Sequence, residues 1–282
     1  SNKLNLKRHQ DFEDRVKNKN YLIRRLVNGD KVNLDQRFYN SDYIYCYGNS
    51  FSIGTYKEFN KILFPIKPAL SNKINYDLKL IKKKKSHKLI YLGGSGNICK
   101  GLDLVIDSVI EISKNQLVHL DIFSPGHKDL PKSEHNYDED DFWNIYNNKI
   151  KKYSFIKMHG FIDLESNKFL KTIEECSFNI SPASCEGVST SVLNCMRRAI
   201  IPVIPYEAGI DVKEFGIKLN SINFLDVKNT IIKCINMDNK EVLERSLKTY
   251  KASWEYTPEN FCNSFKWAIE NTNKLQICSN NK

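Results

Sequence analysis

Lys88-Leu89-Ile90-Tyr91-Leu92-Gly93-Gly94-Ser95-Gly96-Asn97-Ile98-Cys99-Lys100-Gly101-Leu102 decides how this chain is read. A strand-sized apolar run meets a glycine-rich turn. Behind the turn, Leu102, Val105, Ile106, Val109 and Ile110 recur at the i, i+3, i+4 spacing of an amphipathic helix. The alternation continues downstream. Residues 117–123 read as a strand ended by Ser124-Pro125-Gly126, and the acidic residues 138–141 open a helix, where carboxylates suit the positive end of the dipole. Residues 155–158 form a strand closed by His159-Gly160, 164–176 a helix, and 177–180 a strand ended by Ser181-Pro182. A helix over 188–198, a strand over 200–204, and a last strand over 222–225 with its helix complete the series. Short buried strands alternating with helices predict an α/β fold. Its sheet is parallel, its crossovers right-handed, and helices cover both faces.

The chain in front of this series is less regular. Residues 1–35 are polar and helix-prone. Asp42-Tyr43-Ile44-Tyr45-Cys46-Tyr47 is β-rich and ends at Gly48-Asn49-Ser50, and Ile62-Leu63-Phe64-Pro65-Ile66 follows a short helix-like stretch. That is a partial α/β piece. The run Lys82-Lys83-Lys84-Lys85 reads as a solvated linker, with phospholipid contact as the sharper alternative. Residues 258–275 read as one long amphipathic helix with Phe261, Phe265, Trp267 and Ile269 as its apolar candidates. The expected division is 1–80, a linker at 81–87, a main domain at 88–255 and a C-terminal helix at 256–282.

Composition narrows the classes. The 282 residues are 41% hydrophobic and 27% charged, with only 12 Gly and 8 Pro, which excludes collagen-like, mucin-like and acidic disordered chains. The longest apolar run, Ala199-Ile200-Ile201-Pro202-Val203-Ile204, is strand-sized, far below the roughly 20 residues of a spanning helix. The net charge of +10 is spread along the chain without an aromatic-interleaved RNA-binding motif. Nucleic acid is therefore not an expected partner, whereas a phosphorylated ligand or peripheral contact with an anionic membrane stays open. Eight cysteines without a C-x-x-C pair or a close histidine predict no metal site and reduced, mostly buried thiols, as in a cytoplasmic protein. Ser1-Asn2-Lys3-Leu4 has no signal-peptide pattern.

In open α/β sheets ligands sit at the carboxyl ends of the strands, and three loops there carry chemistry. Gly93-Gly94-Ser95-Gly96-Asn97 allows close backbone approach to phosphate oxygens, and Lys100 adds a point charge. A dinucleotide fingerprint would need glycine where Cys99 stands, and a plain turn with an exposed lysine fits equally well. The second loop, Ser181-Pro182-Ala183-Ser184-Cys185-Glu186-Gly187-Val188-Ser189-Thr190-Ser191, either caps a helix or presents the amides of Val188, Ser189 and Thr190 to an anion. Glu186 at its rim could hold sugar hydroxyls. The third, Pro205-Tyr206-Glu207-Ala208-Gly209-Ile210-Asp211, is on its own only a loop.

The order of Gly93 to Asp103, His159-Gly160-Phe161, Ser181-Pro182 through Glu186-Gly187, and Ile201-Pro202-Val203-Ile204 resembles the retaining GT4 type of GT-B glycosyltransferases over residues 40–275. The resemblance implies a Rossmann-type parallel sheet in a C-terminal domain binding a nucleotide-diphosphate sugar. A partial N-terminal piece lies on the acceptor side, and the last helix crosses back to it. It implies retaining transfer to a glycan or lipid-linked acceptor, with no metal and no cofactor besides the donor substrate. Lys100 would neutralise the diphosphate with the backbone near Ser95. Phe161 and Ile162 would line the base site, Glu186 would face the transferred sugar, and the amides after Gly187 would cradle phosphate. Two positions depart from the family pattern: Gly94 stands where a second basic residue is usual, and Asn194 where the second acid of E-x7-E is usual. These departures and the short front end leave an alternative, a non-catalytic GT-B-like partner that binds a sugar-nucleotide or glycan. The histidine often contributed by the N-terminal domain has His9 as its candidate, read as a surface residue.

Overall fold

The computed structural model describes residues 2–16, 38–72, 74, 76–94, 96–125, 137–184 and 186–280. Its centre is a six-stranded sheet of order β5-β4-β3-β6-β7-β8, every pair parallel. The strands are β3 (Lys85–Leu92), β4 (His119–Phe123), β5 (Ile156–Met158), β6 (Cys176–Ile180), β7 (Ile201–Pro205) and β8 (Ile217–Leu219). The crossovers carry α3 (Leu102–Ile112), α4 (Tyr137–Ile150), α5 (Asn167–Ile173) and α6 (Thr190–Met196), and α7 (Phe224–Ile235) and α8 (Asn239–Ser253) follow β8. The period of two in β3 divides the core. Leu89 and Tyr91 join Val105, Val109, Trp143 and Ile231 on one face, while Ile90 and Leu92 meet Phe169 and Ile173 on the other. The expected parallel α/β sheet with helices on both faces is what forms.

The front piece is α1 (Asn2–Val16), then β1 (Tyr43–Cys46), α2 (Ser50–Gly54) and β2 (Ile62–Pro65). The strands pair in parallel from Tyr43↔Ile62 to Cys46↔Pro65. Ile44, Cys46 and Phe59 cover one side, and Phe64, Ile66 and Ala268 of the final helix α9 (Pro258–Asn280) cover the other. Among the described residues no helix is long and apolar enough to cross a membrane. Cys46, Cys176, Cys195 and Cys234 are buried free thiols, and Cys262 is exposed.

Four expectations need correction. The last strand is Ile217–Leu219, not 222–225. Asn223 caps α7 by accepting the Asp226 N–H at 2.9 Å, which places Phe224 and Leu225 in its first turn. The lysine run is not a free linker: Lys82, Lys83 and Lys85 are exposed, but side-chain contacts tie the run to the sheet domain. Leu78–Lys83 is a 3-10 turn, and Lys83 pairs with Glu174. Lys85 and Lys88 grip Glu175, holding its carboxyl down to about 2. Lys84 is buried, donating to the Cys176 carbonyl at 2.7 Å and the Arg198 carbonyl at 3.3 Å. On α9 the inward face is Phe261, Ala268 and Thr272, and Phe265 lies against Tyr45. Trp267, 52% exposed, sets its ring edge-on to Phe64 of β2, and Ile269 lies outward.

The fourth correction is His9, which is 1% exposed, with Nε2 3.2 Å from the Cys99 sulfur. Its helix docks by charge as much as by apolar contact. Arg8 and Arg15 both pair with the fully buried Asp103, and Arg15 also reaches Asp107 at 2.6 Å. Tyr146 donates to Asp107 at 2.9 Å, and Phe12 stacks on Phe142.

Lys84 makes stability depend on pH. Burial lowers its pKa from 10.5 to about 8. Between those values the unfolded chain binds more protons than the folded one, so stability rises with pH. The neutral amine keeps both hydrogen bonds. Urea unfolding at pH 7.5 and pH 10 is expected to show wild type gaining stability relative to Lys84→Met. An unchanged difference between the two proteins would refute this.

Candidate functional site

Three loops at the carboxyl ends of β3, β6 and β7 lock together through backbone contacts. In the first, the Gly93 N–H donates to the Phe123 carbonyl at 2.9 Å, and the Lys100 N–H closes a turn on the Gly96 carbonyl at 3.0 Å. Gly101 has a left-handed φ of 72°, and a Cβ there would lie 2.6 Å from the Pro182 carbonyl oxygen. Glycine thus lets the second loop pack directly on the first. Ser184 completes that seam, its N–H donating to the Cys99 carbonyl at 2.8 Å and its hydroxyl to Asn5 of α1 at 2.6 Å. The third loop joins where the Glu186 N–H donates to the Glu207 carbonyl at 3.0 Å. Gly209, with φ 77°, packs so closely on the Gly187 carbonyl that any Cβ would collide with it.

A cavity of about 310 Å³ opens between the first two loops and the end of β5. Gly94, Lys100, Phe161, Ile162, Glu186, Thr190 and Asn194, seven of the residues singled out in the sequence, line it. Lys100 Nζ stands 3.6 Å from Glu186 Oε1, so the only cation and the only carboxylate among the lining residues face each other. Phe161 is 79% exposed at the mouth. The Asn194 carboxamide nitrogen donates back to the Thr190 carbonyl at 2.9 Å, which turns its oxygen side outward from that bond. A side chain at Gly94 would begin 3.6 Å from Lys100 Nζ, an ordinary contact, so space exists there for the basic residue the chain lacks.

Gly187, Val188 and Ser189 do not line the cavity with side chains. Val188 packs against the Leu193 and Met196 cluster, and Ser189 is buried with its hydroxyl 3.0 Å from that of Ser191. Ser189 is the N-cap residue of α6 yet makes no side-chain cap bond, so the capping explanation for this Ser/Thr cluster is not realised there. Ser95 lies outside the described residues. Among the described residues no cluster of three His, Cys, Asp or Glu side chains could hold a metal ion.

Sequence reasoning missed two contributors. Phe123 lines the cavity, and His159 stacks on it at 4.4 Å while its Nε2 lies 2.7 Å from Asp121 Oδ1. The strand-ending His159-Gly160 was the visible signal. The other is the Gly48–Ser52 segment, whose contact with the second loop no local pattern announces. A larger hollow of about 740 Å³ lies between α1 and the start of α7. Asp11, Asp14, Glu207 and Asp226 line it beside Lys7, Arg8 and Arg15, an acidic majority that opposes a diphosphate.

This architecture is the GT-B glycosyltransferase fold, with a Rossmann-like parallel sheet and a small α/β piece beside it. Three solved structures illustrate the likeness. TarM matches with a TM-score of 0.61 at 15% identity, over 86% of this chain and 47% of its own. The pneumococcal O-GlcNAc transferase GtfA, solved with UDP and GlcNAc, gives 0.59 at 15% identity, over 84% and 47%. The α,α-trehalose 6-phosphate synthase of Burkholderia multivorans gives 0.66 at 9% identity, over 86% and 62%. The chain spans about half the length of TarM and GtfA. No family model and no curated protein matches the sequence.

The loop seam predicts its own weak point. Gly101→Ala places a Cβ against the Pro182 carbonyl in a left-handed conformation, and the expected loss is about 1–3 kcal/mol of unfolding free energy. Urea denaturation measures it, and a change within error would mean that the two loops separate freely.

Proposed function

We propose that the cavity is the donor site of a retaining, GT4-type glycosyltransferase. The enzyme moves a sugar from a nucleotide diphosphate to a glycan or lipid-linked acceptor. The observation that carries the reading is the Lys100–Glu186 pair, 3.6 Å apart, in a cavity at the carboxyl ends of a parallel sheet. The two groups have complementary tasks. Lys100 meets the negative charge that grows on the departing diphosphate, and Glu186 accepts hydrogen bonds from hydroxyls of the transferred sugar. The amides after Gly187 cradle phosphate, Phe161 and Ile162 line the base, and Asn194 bonds the ribose. Because Lys100 and these dipoles supply the electrostatic stabilisation, the mechanism assigns no role to a metal.

Asn194 accepts less strongly than the usual carboxylate, and Gly94 leaves Lys100 as the one basic group lining the cavity. These two features favour the second reading. In that reading the chain is a non-catalytic partner that binds a sugar-nucleotide or glycan and supports another glycosyltransferase. Contact with an anionic membrane fits the +10 charge and the half-exposed Trp267.

UDP in complexes of the structural neighbours makes uridine nucleotides the first probes. Titration calorimetry with uridine, UDP, UDP-glucose and UDP-N-acetylglucosamine is expected to show Lys100→Ala losing affinity for the diphosphates and not for the nucleoside. Glu186→Gln is expected to reduce transfer or donor hydrolysis by at least about tenfold, or roughly 1.4 kcal/mol of transition-state interaction. Equal losses for nucleoside and diphosphate would remove Lys100 from the site. Donor binding without transfer or hydrolysis in wild type would favour the non-catalytic partner.

A further inference from the structure

We infer that Ser52, in the front piece, is a positioning residue for Glu186. The inference deepens the donor-site reading and rests on it. Ser52 is buried in α2, and its hydroxyl stands 3.1 Å from the Glu186 carbonyl and 3.2 Å from the Gly187 carbonyl, donating to both. On the other side of the same residue, the Glu186 N–H donates to the Glu207 carbonyl at 3.0 Å. Both peptide groups flanking the Glu186 α-carbon are therefore held. With those planes fixed, the direction of its Cα–Cβ bond is fixed too, and the side chain comes to rest facing Lys100. A carboxylate that must meet particular sugar hydroxyls needs this constraint, because a displacement of about 1 Å can cost up to about a hundredfold in rate.

Ser52 is itself held to the loops it serves. Asn49 caps α2, its side-chain oxygen accepting from the N–H groups of Phe51 at 3.1 Å and Ser52 at 3.3 Å. The Asn49 carboxamide nitrogen donates in turn to the Tyr206 carbonyl at 2.9 Å and to Asp211 at 3.3 Å, both beyond β7. Gly48, with φ 114°, brings its backbone so close to the Gly187 carbonyl that a Cβ would collide with it. Ser50 pairs with the Tyr206 hydroxyl and Phe51 sets its ring edge-on to Tyr206, so all five residues from Gly48 to Ser52 meet the second or third loop. The front piece is part of the site's framework, and its contribution runs through the backbone of Glu186.

The test compares wild type, Ser52→Ala and Ser52→Thr by calorimetry with UDP, UDP-glucose and UDP-N-acetylglucosamine. Thermal unfolding of each variant and amide exchange of a peptide spanning residues 183–190 accompany the titrations. For whichever sugar nucleotide wild type binds, Ser52→Ala is expected to lose about tenfold in affinity relative to UDP, with UDP itself within about twofold of wild type. Exchange in the loop should quicken, and Ser52→Thr, which keeps the hydroxyl, should restore both. Equal losses for UDP and the sugar nucleotide would show a merely structural role and overturn the inference. So would unchanged affinity or unchanged exchange. If wild type binds none of the three nucleotides, the donor-site reading fails. The positioning role is then decided by exchange alone, where no difference between wild type and Ser52→Ala overturns it.

Discussion

The carbonyl of Gly187 is the point on which the site depends. Gly48 and Gly209 press their backbones against it from two different segments, and Ser52 donates a hydrogen bond to it. Such an approach is open only to residues without a Cβ, and both glycines hold left-handed φ values that a side chain would strain. The second loop is thereby fixed between the front piece and the end of β7. Glu186, one residue earlier, inherits its direction from that arrangement. The neighbouring seam, Gly101 on Pro182, repeats the device one strand away. Close backbone contact can hold loops that carry few apolar side chains of their own.

A second constraint joins α1 to the main domain. Asp103 is fully buried in the first turn of α3 and meets two arginines of α1. Desolvating such groups is costly, and burial lowers the Arg8 pKa to about 10. The arrangement persists because the charges compensate each other while Phe12 enters the aromatic cluster of Phe142 and Tyr146. Removing Asp103 would leave the buried Arg8 without its carboxylate, a kind of loss that typically costs about 3–5 kcal/mol. Through Asn5 and His9 the same helix touches Ser184 and Cys99, so its docking reaches the loops around the cavity.

Much of the main domain was legible because its strands are short apolar runs and its helices keep a clear period. That reading failed at residues 222–225, where Ile222, Phe224 and Leu225 are as apolar as a strand but Asn223 caps a helix. It failed for the lysine run because charge density alone does not reveal that Glu174 and Glu175 wait across the chain, or that two backbone carbonyls accept from Lys84. On α9, several apolar residues shared the helix and only packing against β1 and β2 could select Phe261 and Ala268 as inward while leaving Ile269 out. His9 looked like a surface residue because the acids and aromatics that draw its helix inward lie some ninety residues or more away.

By itself the sequence determined the parallel α/β order, the three loops at the carboxyl ends of the strands, and the small and charged residue types those loops carry. Hydrophobic period and turn chemistry are local properties, readable within a dozen residues. Tertiary structure alone decided that Lys100 and Glu186 stand 3.6 Å apart in one cavity, and that Phe161 and Asn194 share its wall. It alone placed Ser52 on the carbonyls of Glu186 and Gly187 across 134 residues of chain. These pairings depend on how separate strands end beside one another, and the chain specifies that only when the whole sheet has assembled.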